Sequence, residues 1–239
     1  ICVKFMSLKY FYFYLSSRFI ITNQGFKSFI PKPKTQIRME TWHGGGAYKK
    51  TDLAIIKDKF LSYKYILAGD DIDYYISSSK KFSEVMSYAQ HVGSDRFLPY
   101  GMPRNDIFFD ETNKKLQNKI IRDKYGISFN CKIILYAPTW RDDGRSLDVD
   151  NLGHCVDKLN INNPKYVLLY RAHLGDELKC KSNNVINVSS YPDMQELLCA
   201  ADILITDYSS CMWDFSLMFK PCFIYATDID QYKQERDFY

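Results

Sequence analysis

A histidine followed by three glycines is the feature of this sequence that most directly suggests chemistry. The stretch ETWHGGGAYKK, residues 40–50, places His43 after QIRMETW, a segment typical of a strand. Histidine accepts or donates a proton near neutral pH, and glycine lets the backbone come close to a ligand. His43 is therefore a candidate acid/base residue, with Gly44 as a candidate substrate contact. A plain flexible turn is the alternative explanation of the glycines.

A second histidine occupies a similar position later in the chain. The stretch YRAHLGDEL, residues 170–178, places His173 three residues beyond the apolar run KYVLLY. A histidine at the end of a strand can transfer a proton to or from a ligand, although a lone histidine also serves structural or solvated roles. We expect His43 and His173 to converge on one gap between two lobes. His91 and His154 fall within helical stretches and are not candidates.

Hydroxyl groups between an apolar run and a helical stretch could bind phosphate. In DILITDYSSCMWDF, residues 202–215, the side chains of Asp207, Ser209 and Ser210 follow a strand that ends at Thr206. Ser209 is a natural N-cap, and the free N–H groups of a first helical turn favour anions. We expect phosphate binding here, although simple capping would explain one of the serines.

Cationic side chains follow two other apolar runs. In ILYAPTWRDDGR, residues 134–145, Thr139 and Arg141 lie beyond the strand, where a hydroxyl and a planar cation could hold a diphosphate. An ordinary surface loop, with Asp142 and Asp143 neutralising the arginines, is the alternative. In GMPRND, residues 101–106, Arg104 could approach a phosphate, and a hinge role explains the same stretch equally well.

These residues belong to an alternation of strands and helices. The helical stretches are FMSLKYFYFYL, KKFSEVMSYAQ, DVDNLGHCVDKLN, DMQELLCA and SSCMWDFSLMF. The strand-like runs are 18–22, 36–42, 73–77, 96–100, 132–137, 165–170, 184–188, 202–206 and 221–225. Most of these runs show little alternation of apolar and polar residues, which is typical of strands buried on both faces of a parallel sheet.

The predicted fold class is α/β, with two doubly wound, Rossmann-like domains facing a cleft. The polar stretch around DETNKKLQNK divides the two series of strands, so we place the boundary near residue 110. Residues 1–110 would form an amino-terminal, acceptor-side domain, and residues 111–239 a nucleotide-binding domain. The first residue is Ile and the first half is short, so we expect the amino-terminal domain to be incomplete. FMSLKYFYFYL is expected to be a buried helix of this domain, with packing on a membrane as the alternative.

The composition is that of an ordinary globular protein. Of 239 residues, 46% are hydrophobic and 25% are charged. The sequence contains no run of 18 apolar residues, so no transmembrane helix is predicted. The net charge of +4 fits anionic partners such as phosphates or a membrane face, and no nucleic-acid partner is predicted. The seven cysteines lack paired CxxC spacing, which argues against a zinc site or disulfide framework and favours a reducing, cytoplasmic environment.

Taken in order, the motifs WHGGGAYKK, YGMPRND, YAPTWR, RAH and TDYSSCMWDF resemble the CDP-glycerol glycerophosphotransferase family, whose members build teichoic acids. The resemblance implies a glycosyltransferase-B-like fold. It also implies that His43 and His173 are the catalytic pair and that four residues surround the nucleotide diphosphate, namely Thr139, Arg141, Ser209 and Ser210. The chain departs from the family's usual WHGTPLKK by carrying glycines in place of a Thr-Pro turn.

The activity implied is transfer of a polyol phosphate from CDP-glycerol or CDP-ribitol to a lipid-linked acceptor, with release of CMP. His43 would be the general base, and His173 would stabilise the diphosphate or protonate the departing CMP. A divalent cation is an open cofactor question, since Asp142, Asp143 and Asp207 could contact one. The resemblance also implies a peripheral location on the inner face of the cell membrane. A nucleotide-sugar transferase and a non-catalytic binding module are the alternative functions.

Overall fold

The computed structural model describes residues 2–139, 149–161, 165–172 and 180–239. Contacts within these ranges divide the chain into two compact units. The first unit runs to Pro103 and also includes Asp230–Tyr239, and the second unit is Arg104–Ile229. The change of unit therefore falls a few residues before position 110, the boundary predicted from the sequence.

The first unit contains a parallel sheet of four strands. In chain order its described elements are α1 (Leu8–Ser16), β1 (Phe19–Thr22), β2 (Ile37–Glu40), α2 (Lys59–Asp70), β3 (Tyr74–Ile76), α3 (Lys80–Gln90) and β4 (Phe97–Leu98). The strand order is β1-β2-β3-β4, and all three pairings are parallel. The core packs Tyr75 of β3 against Phe82 and Met86 of α3, so α3 covers one face of the sheet.

The helices of the first unit differ from the sequence prediction in two respects. Helix α1 has no buried residue, and Leu8 is 91% exposed, so the prediction of a buried helix was wrong. Tyr14 packs against the core of the first unit but is itself only half-buried, so the aromatic side chains of α1 do not enclose the helix. Helix α2 was not predicted, and it begins where Asp58 accepts the N–H of Leu61.

The second unit contains a parallel sheet of five strands. In chain order its described elements are α4 (Glu111–Tyr125), β5 (Lys132–Ala137), α5 (Val149–Leu159), β6 (Tyr166–Tyr170), β7 (Val185–Asn187), α6 (Met194–Ala200), β8 (Ile203–Thr206), α7 (Cys211–Ser216) and β9 (Cys222–Ile224). The strand order is β7-β6-β5-β8-β9, with parallel pairing throughout. Leu135, Leu169 and Leu204, on three adjacent strands, are fully buried.

Helix α4 contains the polar stretch that the sequence indicated as a divider. Asp110 accepts the N–H of Asn113 at its start, and Gly126 adopts a left-handed conformation with φ of 66° at its end. Ile121 is the fully buried residue of this largely polar helix. A last helix, α8, spans Ile229–Arg236. In the described part of the chain, no helix is both long and apolar enough to span a bilayer.

Candidate active site

His43 lies in the turn that follows β2 in the first unit. The strand ends at Glu40, and the backbone then leaves extended geometry at Trp42, whose φ is 55°. A positive φ is uncommon outside glycine, so the turn is set by Trp42 rather than by the three glycines after His43. Gly44 is buried, and the carbonyl of Gly45 accepts the hydroxyl hydrogen of Ser78 at 2.6 Å. The histidine is thereby carried on a fixed turn.

The His43 ring is oriented by two contacts. Its Nδ1 lies 2.8 Å from the carbonyl oxygen of Asn23, and the Trp42 ring packs against it with centroids 4.3 Å apart. A carbonyl oxygen only accepts hydrogen bonds, so Nδ1 carries the proton. In the neutral ring the lone pair therefore lies on Nε2, which is the nitrogen able to act as a base. The side chain is exposed and can be reached by a ligand.

A cavity of about 580 Å³ opens beside His43 within the first unit. Its walls combine the rings of Phe26, Trp42 and Tyr65 with polar groups. The polar lining includes Lys27, Asp52, Lys64 and Gln90. Such a mixture of apolar walls and a few polar groups is typical of small-molecule sites.

Asp52 is the acidic group of this cavity. It accepts hydrogen bonds from the side chains of Thr51 and Gln90, each at 3.0 Å. Lys27 and Lys64 are exposed cations on the same walls, so the cavity offers both hydroxyl-binding and phosphate-binding groups. These residues were not singled out from the sequence, because the cavity joins five separate stretches of chain, around residues 24–29, 42–43, 52, 61–72 and 90.

Glu40 is a buried carboxyl group three residues before His43, and its side chain is fully enclosed. Its Oε1 accepts the N–H of Trp42 at 2.8 Å, and its Oε2 accepts the N–H of Gly25 at 2.9 Å. Burial raises the pKa of the Glu40 carboxyl to about 7, and the charge of Asp52 adds to this rise, while the hydrogen bonds to backbone N–H groups oppose it. The carboxyl therefore changes charge near neutral pH.

In the second unit, Asp207 joins the loops that follow β5 and β8. Its Oδ1 accepts the backbone N–H of Thr139 at 2.8 Å and also that of Tyr208, while the carboxyl is almost fully buried. The hydroxyl of Thr206 donates to the carbonyl of Ala137 at 2.7 Å between the same strands. The structure thus brings together Thr139 and Asp207, two of the predicted site residues, at the carboxyl ends of neighbouring strands.

Ser209 and Ser210 follow in the same loop. Helix α7 begins at Cys211, so Ser210 rather than Ser209 occupies the N-cap position, and its side chain makes no capping hydrogen bond. The hydroxyl of Ser209 instead accepts the N–H of Cys211 at 3.4 Å. The prediction of Ser209 as the N-cap was wrong by one position because the helix starts later than the sequence pattern indicates.

Arg104 binds a carboxylate of its own unit. Its Nε and Nη2 donate to Asp214 at 3.0–3.1 Å, and Asn105 and Gln195 donate to the same carboxylate at 2.7 and 3.3 Å. Asp214 is buried, so it requires a cationic partner. The guanidinium therefore ties the turn around residues 103–109 to α7, and its predicted approach to a phosphate stays a prediction.

Several predicted residues lie outside the described ranges. These are Arg141, Asp142, Asp143 and His173. Among the residues that the structure does describe, no group of three or more His, Cys, Asp or Glu side chains could hold a metal ion.

Sequence reasoning missed Glu40 and Asn23, which surround His43. The carbonyl of Asn23 leaves no sequence signal. Glu40 does leave one, because Gln36, just before β2, and Arg38 and Glu40 within it occupy alternate positions, and all three are buried. Charged residues are rarely buried without partners, and a strand that buries polar groups on one face needs such partners.

The chain is similar to known proteins along almost its whole length. The chain is 32% identical over 99% of its length to a teichoic acid poly(glycerol phosphate) polymerase of Staphylococcus epidermidis, of which it covers 35%. It is 28% identical over 88% of its length to a teichoic acid ribitol-phosphate primase of Bacillus spizizenii, of which it covers 56%. The chain thus spans about a third of the first of these relatives and just over half of the second.

A solved structure, that of the wall teichoic acid polymerase TagF, matches with a TM-score of 0.86 and 30% identity over 99% of this chain and 61% of that chain. A histidine-to-asparagine variant of the same polymerase was soaked with CDPG. This likeness and the parallel sheets confirm the predicted α/β, glycosyltransferase-B-like fold class.

The family resemblance seen in the motifs is confirmed along the chain. The model of the family described as CDP-glycerol:poly(glycerophosphate) glycerophosphotransferase matches residues 1–239. The chain belongs to the CDP-glycerol:poly(glycerophosphate) glycerophosphotransferase family.

Proposed function

We propose that this protein transfers a polyol phosphate, glycerol phosphate in the first instance, from a CDP-alcohol to a hydroxyl group of a teichoic-acid-type acceptor. The acceptor oxygen forms a new bond to the β-phosphorus of CDP-glycerol. The bond from that phosphorus to the bridging oxygen breaks, and CMP leaves. Membership of the family supports the reaction class. Such transfers need mainly positioning and charge stabilisation from the protein.

The tautomer of His43 is the observation that carries this proposal. With Nδ1 bonded to the Asn23 carbonyl, Nε2 is free to accept the proton of the attacking hydroxyl. His43 is exposed at the wall of a cavity large enough for a polyol phosphate unit. General-base assistance of this kind contributes roughly 10²–10⁴-fold to rate.

The acceptor end of the reaction fits the cavity beside His43. The exposed ammonium groups of Lys27 and Lys64 can neutralise a phosphate, and Asp52 and Gln90 can bond polyol hydroxyls. The acceptor is therefore proposed to be a polyol phosphate chain, lipid-linked at its other end.

The donor end is proposed to involve the second unit. Thr139 and Asp207, at the ends of β5 and β8, and the hydroxyls of Ser209 and Ser210 would surround the diphosphate. Arg141 and His173 are included in this proposal because of the family resemblance alone. His173 would stabilise the diphosphate or protonate the departing CMP.

The protein is proposed to act in the cytoplasm, peripherally on the inner face of the membrane. A nucleotide donor and a lipid-linked acceptor meet at that surface. The exposed side chains of Phe60 and Tyr63 on α2, next to Lys59 and Lys64, support contact with a lipid surface. Cosedimentation with vesicles that contain anionic lipid tests this location.

A thermal-shift comparison tests the substrate class. CDP-glycerol should raise the melting temperature more than CDP-ribitol or UDP-sugars, and CMP should appear only when an acceptor is added. Preferential stabilisation by a UDP-sugar would favour a sugar transferase. Stabilisation by CDP-glycerol without CMP release in the presence of acceptor would favour a binding module.

A further inference from the structure

Glu40 is a buried carboxyl group that none of the reaction steps above uses. It ends β2 on the buried strand face that also carries Arg38, and the buried Gln36 lies just before the strand. Arg38 does not neutralise it, because the Arg38 guanidinium donates to Asp71, to Gln36 and to the carbonyls of Ile30 and Pro31. The Glu40 carboxylate instead accepts two backbone N–H groups.

Those two N–H groups belong to the two segments that hold His43. One is the N–H of Trp42, the residue whose positive φ makes the turn before His43. The other is the N–H of Gly25, in the loop whose residue Asn23 accepts the hydrogen bond from His43 Nδ1. Gly25 has φ of 77°, a conformation that side chains rarely adopt, so this loop is also held in a special geometry.

We propose that Glu40 is a positioning residue for His43. One carboxylate ties the turn that carries the ring to the loop that orients it, and so keeps Nε2 as the accepting nitrogen. This inference rests on the proposed function insofar as His43 is the base. A displacement of about 1 Å in a reacting group costs on the order of 10²-fold in rate, so a carboxylate without substrate contact can still control turnover.

The ionised form of Glu40 suits this task best. A carboxylate accepts at both oxygens, whereas a protonated carboxyl turns one of them into a donor. Asp52, from the turn at 52–54, and the phenol of Tyr75, from β3, are the titratable groups that interact with Glu40 in the described part of the chain. Neither supplies a positive charge, so the backbone N–H groups of Trp42, Gly25 and Thr41 are what favours ionisation.

Glu40→Gln separates positioning from a purely structural role. Glutamine keeps the volume and one accepting oxygen, but its NH₂ cannot accept an N–H. Glu84→Gln, an exposed change on α3, is the matched control. Three measurements decide the question in the full chain. They are kcat and KM for CDP-glycerol with acceptor, the dependence of kcat on pH, and the titration of the His43 imidazole by NMR, assigned against a His43→Gln spectrum.

We expect Glu40→Gln to lower kcat by roughly tenfold to a hundredfold with KM for CDP-glycerol within twofold of wild type. The His43 imidazole resonances should shift, and the acid limb of the kcat–pH profile should become shallower. Glu84→Gln should match wild type in all three. Unchanged kcat together with an unchanged His43 titration in folded Glu40→Gln would overturn the proposal.

The two proposals fail in different ways. Absence of transfer by the wild-type chain counts against the proposed function, and the imidazole titration then decides the role of Glu40 by itself. In that case a His43 titration that is the same in wild type and Glu40→Gln overturns the positioning role, and a shifted one supports it.

Discussion

Nδ1 of His43 donates a hydrogen bond to the backbone carbonyl of Asn23, with 2.8 Å between the two atoms. The bond fixes the tautomer of a side chain that would otherwise exchange freely between two forms. Because the partner is a backbone carbonyl, the orientation of the ring depends on the position of the loop that contains Asn23. The role of His43 as a base therefore depends on this loop, which the Glu40 carboxylate holds through the N–H of Gly25.

The stability of the protein should fall as pH rises from about 4.5 to 7, because of Glu40. Burial raises the pKa of Glu40 to about 7, so the folded state keeps a proton that the unfolded chain has lost. A raised pKa favours folding below the unfolded value, and this contribution is lost as pH passes the folded value. The loss is roughly 3 kcal/mol in the free energy of unfolding. Urea unfolding of wild type and Glu40→Gln at several pH values measures it.

The variant should lack most of this slope, because glutamine does not titrate. Glu84→Gln should keep the wild-type slope. The contribution of Glu40 is the difference between the wild-type and Glu40→Gln curves of unfolding free energy against pH. If that difference does not fall between pH 4.5 and 7, Glu40 ionises normally.

Asp207→Ala should destabilise the protein by about 1–3 kcal/mol, because the buried N–H of Tyr208 and the partly buried N–H of Thr139 lose their acceptor. It should also weaken CDP-glycerol binding, since the Thr139 loop would no longer be held to the β8 loop. Asp207→Asn keeps Oδ1 and is the matched control, with a smaller effect on both quantities. Chemical unfolding and isothermal titration measure them, and equal behaviour of the alanine and asparagine variants would argue against the tie.

Arg104→Ala should lower stability by about 3 kcal/mol, because it leaves the buried Asp214 carboxylate without its cationic partner. The affinity of the folded variant for CDP-glycerol should change little. The reverse pattern, in which affinity falls while the unfolding midpoint is kept, would instead support the phosphate contact predicted from the sequence.

The strands could be predicted from the sequence because buried parallel strands leave continuous apolar runs. All nine strands of the described chain fall within the predicted runs, although β2 alternates apolar and polar residues instead of forming a continuous apolar run. Helix α4 could not be recognised as readily, since its surface is polar and Ile121 is its fully buried residue. The burial of Glu40 also could not be predicted from the local sequence. The alternation in β2 indicates that the strand has two different faces, but it does not indicate which face is buried. The covering groups come from distant loops.

His43 itself could be predicted, since a histidine after a strand and before glycines is a local signal. Its orientation could not, because Asn23 contributes only a backbone carbonyl from another loop. For Arg104, the sequence indicated the kind of partner but not which group it is. Its position after a strand suggested an anion, and the anion found is Asp214, more than a hundred residues later in the chain.

His173→Gln should lower transfer if the resemblance assigns it correctly, and the double variant with His43→Gln should fall less than the product of the single effects. Residues that act in one step are non-additive in this way. Strict multiplication of the two losses would indicate that the histidines act in separate steps.

The rate of glycerol phosphate transfer by His43→Gln tests the central claim most directly. Radiolabelled CDP-glycerol and a lipid-linked glycerol phosphate acceptor report the product, and His154→Gln, an exposed change on α5, is the matched control. We predict a loss of roughly 10²–10⁴-fold for His43→Gln, with CDP-glycerol affinity kept and the control unchanged. Transfer by folded His43→Gln at the wild-type rate would contradict the account.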